Sequence, residues 1–313
     1  MNKIVITGGT GFIGSNLVYK FLELGDQVNL IVREKSNFWR IDPIKNKVNL
    51  YFSDLRDIEK LEKIFKKVKP DIVIHLASYG TTPKTQKDED EMIQTNILGT
   101  INLIKTSSKN NVSAFINTGS SSEYGEKDRA IKETDVLEPH NLYGVTKASG
   151  TIYAHYFAKL KGMPLVTLRP FSVYGYYEHK ERLVPAVIKG CLENKELKLS
   201  SLEDKRDYVF IEDVVDIYLK SINKIGKVNG EIFNVGMGKE HSIKEVVENI
   251  EKILDSHPPH NYGAFESGQK EPKHWIADIS KAKKMLNWTP KYDLETGLKK
   301  TVDWFSKNLF LYK

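Results

Sequence analysis

Cysteine is nearly absent from this 313-residue chain. Cys191 stands alone, which excludes an internal disulfide and any metal site built on cysteines. Long apolar runs are missing too: no stretch reaches the roughly 18 uncharged residues that a membrane-spanning helix takes. The apolar run after Met1, Ile4-Val-Ile6, is too short for a secretory leader, so the expected setting is a reducing cytoplasm, with no membrane partner. Charge of one sign is scarce in any one place. The 47 basic and 41 acidic residues leave +6 with the signs interspersed. No Arg/Lys block alternates with aromatics as a nucleic-acid surface would need, so nucleic acid is not an expected partner. The excess reads as a lysine-rich solvated face with at most a modest pull on an anionic substrate. There is no internal repeat, no low-complexity tail and no metal-ligand spacing.

What is present is ample apolar content, 40% of the chain, enough for one large or two moderate cores. Strand-like runs occur at 3–7, 27–32, 48–53, 71–75, 114–118 and 165–168. Helical patterns lie between them, from about Phe12 to Leu24 and at 55–68, 89–110 and 143–161. This alternation predicts an α/β fold with a doubly wound parallel sheet. Ile72-Val-Ile-His-Leu-Ala77 is apolar almost throughout, as a strand covered on both faces requires. Past residue 175 the rhythm loosens into short pieces, with helical patterns at 183–193, 214–223 and 243–254 and a His/Pro/Gly-rich loop at 256–273. The expected organisation is 1–175 for the sheet domain and 176–313 for a smaller mixed α/β lobe, with some segments crossing between them.

Thr7-Gly8-Gly9-Thr10-Gly11-Phe12-Ile13-Gly14 joins the first strand to the first helix. In that context Gly8 permits the tight turn, Gly11 lets a pyrophosphate approach the backbone, and Gly14 permits close helix–sheet packing. The helix N-terminus offers the phosphates its unpaired N–H groups and positive dipole end. The pattern predicts dinucleotide binding. Further on, Tyr143-Gly-Val-Thr-Lys147 places a phenol and an ammonium one helical turn apart, on one face. A positive charge there would lower a phenol pKa that is ordinarily about 10, making Tyr143 a general base for an alcohol proton.

Loop and pair together resemble the short-chain dehydrogenase/reductase superfamily, and the Thr-Gly-Gly-Thr-Gly-Phe-Ile-Gly form resembles its extended branch of nucleotide-sugar epimerases, dehydratases and reductases. Asp54-Leu55, His75-Leu76-Ala77, Asn96-Ile-Leu-Gly99, Arg169-Pro170, Val173-Tyr-Gly175, Arg206-Asp207, Glu212-Asp213 and Phe233-Asn-Val-Gly236 continue the likeness in order along nearly the whole chain. The resemblance implies a Rossmann-type domain with a C-terminal substrate lobe. It also implies roles for individual residues. Phe12 and Ile13 complete the phosphate loop, Asp54 and Leu55 meet the adenine, and Leu76, Ala77 and Ser78 line the cofactor. Arg169 to Val173, with Pro170 and Val173 foremost, run beside the nicotinamide. Lys147 holds a cofactor ribose, and Asn96 supports the proton path. Tyr79, Ser122, Arg182, Leu183 and Arg206 belong to the nucleotide-sugar site, Arg206 gripping phosphates. Three of these residues have plainer readings: Asp54 as a turn residue, Arg206 as the salt-bridge partner of Asp207 or Glu203, and His75 as a hydrogen-bonded structural residue. A homodimer paired through helices near 89–110 and 143–161, as a four-helix bundle, is the implied assembly.

The third catalytic member is a small hydroxyl that would stabilise charge on the reacting oxygen. Counting back from Tyr124-Gly125 as in related enzymes favours Ser120, with Ser121 second. Sugar-nucleotide 4,6-dehydratases carry acids directly after this hydroxyl, where this chain has Ser121 and Ser122. Glu123 comes one position later and should face the other side of a strand unless a bulge turns it inward. Ser-Ser-x-Glu-Tyr-Gly is closer to GDP-sugar 4-keto reductases. Dehydration is therefore disfavoured, and hydride transfer at C4 of a nucleotide sugar is expected, with 4-epimerisation as the alternative. A non-catalytic NADPH-sensing protein would be expected to lack the Tyr or the Lys. For the cofactor, the end of the second strand carries Val32 and Arg33 where an NAD-specific site wants a carboxylate. Arg33, Lys35 and Ser36 lean slightly to NADP over NAD, with Glu34 as the acid that could reverse this.

Overall fold

The computed structural model of the chain describes residues 1–81, 86, 88–263 and 274–312. Its strands are β1 (Lys3–Thr7), β2 (Gln27–Val32), β3 (Asn49–Phe52), β4 (Ile72–His75), β5 (Ala114–Thr118), β6 (Leu165–Pro170), β7 (Ser172–Tyr174), β8 (Leu197–Leu199), β9 (Lys205–Arg206), β10 (Tyr208–Phe210), β11 (Ile232–Val235), β12 (His241–Ser242) and β13 (His260–Tyr262). The helices are α1 (Phe12–Glu23), α2 (Ile58–Val68), α3 (Glu89–Ile93), α4 (Gly99–Lys109), α5 (Leu142–Lys161), α6 (Leu183–Glu193), α7 (Ile211–Asn223), α8 (Ile225–Val228), α9 (Ile243–Leu254), α10 (Ser280–Leu286) and α11 (Leu294–Asn308).

Seven strands form one parallel sheet in the order β11-β6-β5-β4-β1-β2-β3. The predicted doubly wound sheet is thus observed, and β11, from beyond residue 175, completes its edge beside β6. Alternation along β1 feeds both faces: Ile4 and Ile6 join one core with Leu17 and Phe21 of α1, while Val5 joins the other with Phe65 of α2 and Leu103 of α4. Each such fully buried side chain contributes about 1.5–3 kcal/mol relative to exposure. The chain order reverses between β1 and β4, which opens a crevice at the carboxyl ends of those strands.

Three helices differ by more than one residue from their predicted bounds. α2 begins at Ile58, not Leu55, because the Asp57 side chain accepts the Lys60 N–H and caps it there. α7 begins earlier than expected, at Ile211, directly after β10. The helix expected at 89–110 is interrupted by a π-helical turn, Gln94–Leu98, in which the Gly99 N–H reaches back to the Gln94 carbonyl. Such turns insert one extra residue into a helix. Of the loop expected at 256–273, residues 264–273 lie outside the described residues.

Candidate functional site

The glycine loop sits at the mouth of the crevice. Gly8 has φ +73° and lies so close to the segment after β4 that a Cβ there would stand 2.6 Å from the Ala77 nitrogen and 2.7 Å from the Leu76 carbonyl carbon. Only glycine combines that φ with that approach. Gly14 serves a different contact from the expected one: a Cβ would run into the Gly8 carbonyl oxygen, so it is the loop's own backbone, not the sheet, that requires glycine there. Gly11 is the N-cap of α1 and supplies no side-chain cap, leaving the first N–H groups of a twelve-residue helix, Phe12 and Ile13 among them, to a ligand. The donor set fits a dinucleotide pyrophosphate.

Beyond the loop, the catalytic candidates converge. Asn141 caps α5 by accepting the Gly144 N–H at 2.8 Å, which puts Tyr143 in the first turn and Lys147 one turn later. The Ser78 and Ser120 side chains lie close enough to the Tyr143 hydroxyl to favour its ionised form. Lys147 is buried and donates from Nζ to the Thr118 carbonyl at the end of β5. Burial brings its ammonium down to about 8. The phenol behaves otherwise than the pair alone suggests: burial raises the Tyr143 pKa, and the Ser78 and Ser120 hydroxyls, not the Lys147 charge, are the foremost influences pulling it back.

Ser120 and Ser121 part company. Ser120 N-caps a short 3-10 turn, Ser121–Glu123, and its Oγ accepts the Ser122 N–H at 3.1 Å while facing Tyr143. Ser121 Oγ instead accepts the Trp275 indole N–H at 3.0 Å. Glu123 is fully buried, and both its carboxylate oxygens are engaged. One oxygen accepts the Ser120 N–H at 2.8 Å and the Thr151 hydroxyl at 3.0 Å, and the other accepts Arg169 Nε–H at 2.7 Å. Arg169, expected beside the nicotinamide, is therefore committed to this ion pair and to the Tyr124 hydroxyl at 2.7 Å. A buried guanidinium requires such partners. Its neighbours Pro170, at the end of β6, and Val173, in β7, lead toward the Gly175 turn.

Asn96 occupies the π-helical turn. Its carboxamide accepts the Tyr79 N–H at 2.7 Å and donates to the Tyr79 carbonyl at 2.9 Å and to Thr146 Oγ1 at 3.0 Å, tying the Ser78–Tyr79 segment to α5. His75 is structural, as its plainer reading held: its ring nitrogens meet Thr7 and Thr100 hydroxyls at 2.7 and 2.8 Å, and burial pushes it down to about 3, keeping it neutral.

At the far end of the loop, Arg33 follows β2, and its guanidinium stands 3.2 Å from Glu91 Oε1. Asp54 is clasped by Arg56 at 2.9 and 2.7 Å, which lowers its pKa, and Leu55 is buried beside it. Toward the C-terminal segments, Leu183 opens α6, and the preceding Arg182 lies near enough to favour the ionised forms of Tyr143 and Glu178. Arg206 pairs across β9 with His241 of β12. Asp207 is not its evident partner, since that buried carboxylate accepts the N–H groups of Met237, Gly238 and Ala277. Arg56, Glu91, Glu178 and Trp275 were not singled out by sequence reasoning. Only Trp275, beside the His/Pro/Gly-rich loop, carried a compositional hint.

Residues 4–236 match the NAD dependent epimerase/dehydratase family. The dTDP-glucose 4,6-dehydratase of Haemophilus influenzae is 29% identical, over 98% of this chain and 99% of its own length. The UDP-glucose 4-epimerase of Thermotoga maritima, solved with UDP-glucose, is 31% identical, with a TM-score of 0.87 over 98% of this chain and 99% of that one. The UDP-glucuronic acid 4-epimerase of Bacillus cereus, solved with UDP-glucuronic acid and NAD, is 29% identical, with a TM-score of 0.86 over 97% and 99%. A dinucleotide loop, a Ser–Tyr–Lys cluster at the crevice and a family match over most of the chain lead to one conclusion: this protein belongs to the NAD dependent epimerase/dehydratase family and is an enzyme of the extended short-chain dehydrogenase/reductase type.

Proposed function

We propose that this enzyme transfers hydride at C4 of a nucleotide-activated sugar, as a 4-dehydrogenase or 4-keto reductase in surface-polysaccharide or deoxysugar biosynthesis, with a GDP-sugar as the first substrate to test. The observation that carries the reading is the hydroxyl cluster of Tyr143, Ser120 and Ser78, with the adjacent acid, Glu123, locked into its ion pair with Arg169. When bound, the nicotinamide accepts or returns hydride at the sugar carbon. Tyr143 takes the proton from the C4 hydroxyl in oxidation and gives it back in reduction. Ser120 donates to the reacting oxygen and steadies its charge. Lys147 would hold a ribose hydroxyl of the bound cofactor through its ammonium. Asn96 fixes the Ser78–Tyr79 segment against α5. Ser121 and Ser122 offer no carboxylate for removing water across C5 and C6, which speaks against dehydration despite the dehydratase relative.

A 4-epimerase is the second reading, and the two epimerases of 31% and 29% identity favour it as strongly. Incubating the enzyme with UDP-, GDP- and CDP-sugars separates the two. Net gain or loss of reduced nicotinamide supports the first. A C4 epimer with no net change in reduced cofactor replaces it with the second. A 4-keto-6-deoxy product would sink both.

For assembly, we propose a homodimer through α4 and α5. Ile93 and Leu98 before α4, and Val145, Ile152, Tyr156 and Leu160 along one stripe of α5, are all exposed apolar residues. A second copy covering that stripe would give the four-helix bundle.

A further inference from the structure

The corner where the cofactor's adenosine ribose belongs holds an acid that the sequence motif lacks. In dinucleotide-binding sheets the carboxylate that reads the ribose 2′-hydroxyl stands at the end of the second strand. Here that strand ends in Val32, and Arg33 opens a tight turn: its N–H donates to Ser36 Oγ at 2.9 Å, and its carbonyl accepts the Ser36 N–H at 2.9 Å. Glu34 and Lys35 occupy the exposed tip of this turn. The carboxylate beside Arg33 comes from elsewhere. Glu91 Oε1 lies 3.2 Å from Arg33 NH1, and Glu91 Oε2 lies 3.9 Å from Arg56 NH1. Asp88 N-caps α3 by accepting the Glu91 N–H at 2.9 Å, which fixes where Glu91 leaves the helix. Arg56 is in turn clasped by Asp54. The two guanidinium groups at this corner are thus already matched by two carboxylates.

We propose that Glu91 is the specificity-determining residue for the cofactor, and that by holding Arg33 it selects the 2′-hydroxyl of NAD over the 2′-phosphate of NADP. The inference rests on the dinucleotide reading of the glycine loop and deepens it. A carboxylate accepts a hydrogen bond from a ribose hydroxyl but repels a phosphate monoester, which carries about −1.5 to −2 charges near neutrality. To admit the phosphate, Arg33 would have to leave Glu91, and that carboxylate would remain within a few ångströms of the new charge. The Arg33–Glu91 pair is itself partly exposed, so it can rearrange around a ligand without disturbing the fold. Arg33 alone would favour NADP, as the sequence suggests; Glu91 reverses that preference.

Calorimetric titration of the full chain with NAD and with NADP tests this. The wild type should bind NAD more tightly. Glu91→Gln, similar in shape and uncharged, should narrow the ratio of the two dissociation constants by about tenfold, the scale of one charge pair at this exposure. Adding Arg33→Ala to Glu91→Gln should remove the gain in NADP affinity. A Glu91→Gln ratio within about twofold of wild type, or a wild type that prefers NADP, overturns the proposal while leaving the loop reading intact. Failure of the wild type to bind either dinucleotide overturns the loop reading and this proposal with it.

Discussion

Glu123 and Arg169 form a buried ion pair, 2.7 Å from Oε2 to Nε, directly behind Ser120. The pair acts on the site in two ways. It holds the Ser120 backbone N–H, and its negative member raises the pKa of both Tyr143 and Lys147. Glu123→Gln retains the hydrogen-bonding shape and removes the charge. The Tyr143 phenol should then ionise at lower pH, so the acid-side limb of the kcat/KM profile for alcohol oxidation should move to lower pH. An unmoved limb would show that Glu123 only supports the backbone. Glu123→Ala leaves Arg169 buried and unpaired, and chemical denaturation should report a loss of about 3–5 kcal/mol.

The two serines should separate kinetically. Ser120→Ala removes the hydroxyl beside Tyr143 and should lower kcat by about 10²-fold or more, as loss of an oxyanion donor does. Ser121→Ala breaks only the contact with the Trp275 indole, so kcat should stay within about threefold of wild type, and the stability cost should be about 1 kcal/mol. Steady-state kinetics on the pair of variants decides the assignment.

Tyr143→Phe keeps the ring in the first turn of α5 and deletes the proton carrier. Turnover should fall to the detection limit while the dissociation constant for the dinucleotide changes by no more than about twofold. Normal turnover in this variant would end the general-base role.

His75 gives a pH signature in stability. Its folded pKa is about 3, below the unfolded value of about 6.5, so the unfolded chain takes up a proton that the folded chain refuses. The stability from this group is fully present above about pH 6.5 and is lost as pH falls toward 3, by at most about 5 kcal/mol. Urea denaturation across that window should show a flatter pH dependence for His75→Gln than for wild type. Parallel slopes would refute the buried neutral imidazole.

The exposed stripe on α5 should carry self-association. Replacing Ile152 and Leu160 together with glutamate puts charge where a second copy would seat. Sedimentation should show wild-type dimer and variant monomer, with circular dichroism unchanged.

The parts of this site that depend on local chain order were legible in the sequence. The glycine loop follows a strand and opens a helix within fourteen residues, and Tyr143 and Lys147 share one helix turn. What escaped depends on residues far apart in sequence and on competition between effects. Glu91 reaches Arg33 across 58 positions, and no pattern around either residue announces it. The direction of the Tyr143 shift required knowing how deeply the phenol is buried, because burial opposes the stabilisation of the phenolate by nearby groups. Arg169 looked like a cofactor neighbour from its place beside Pro170, yet the strand points its side chain into the Glu123 pair.

The π-helical turn at Gln94–Leu98 makes the site sensitive to counting. Each residue of an α-helix advances the face by about 100°, so one inserted residue swings everything after it by that angle relative to everything before. Asn96 lies within that inserted turn and meets both Tyr79 and Thr146. Deleting one residue from Gln94–Leu98 would heal the helix and give a more regular segment. It would also turn Asn96 out of register with α5, so that the more regular protein would be the less active one.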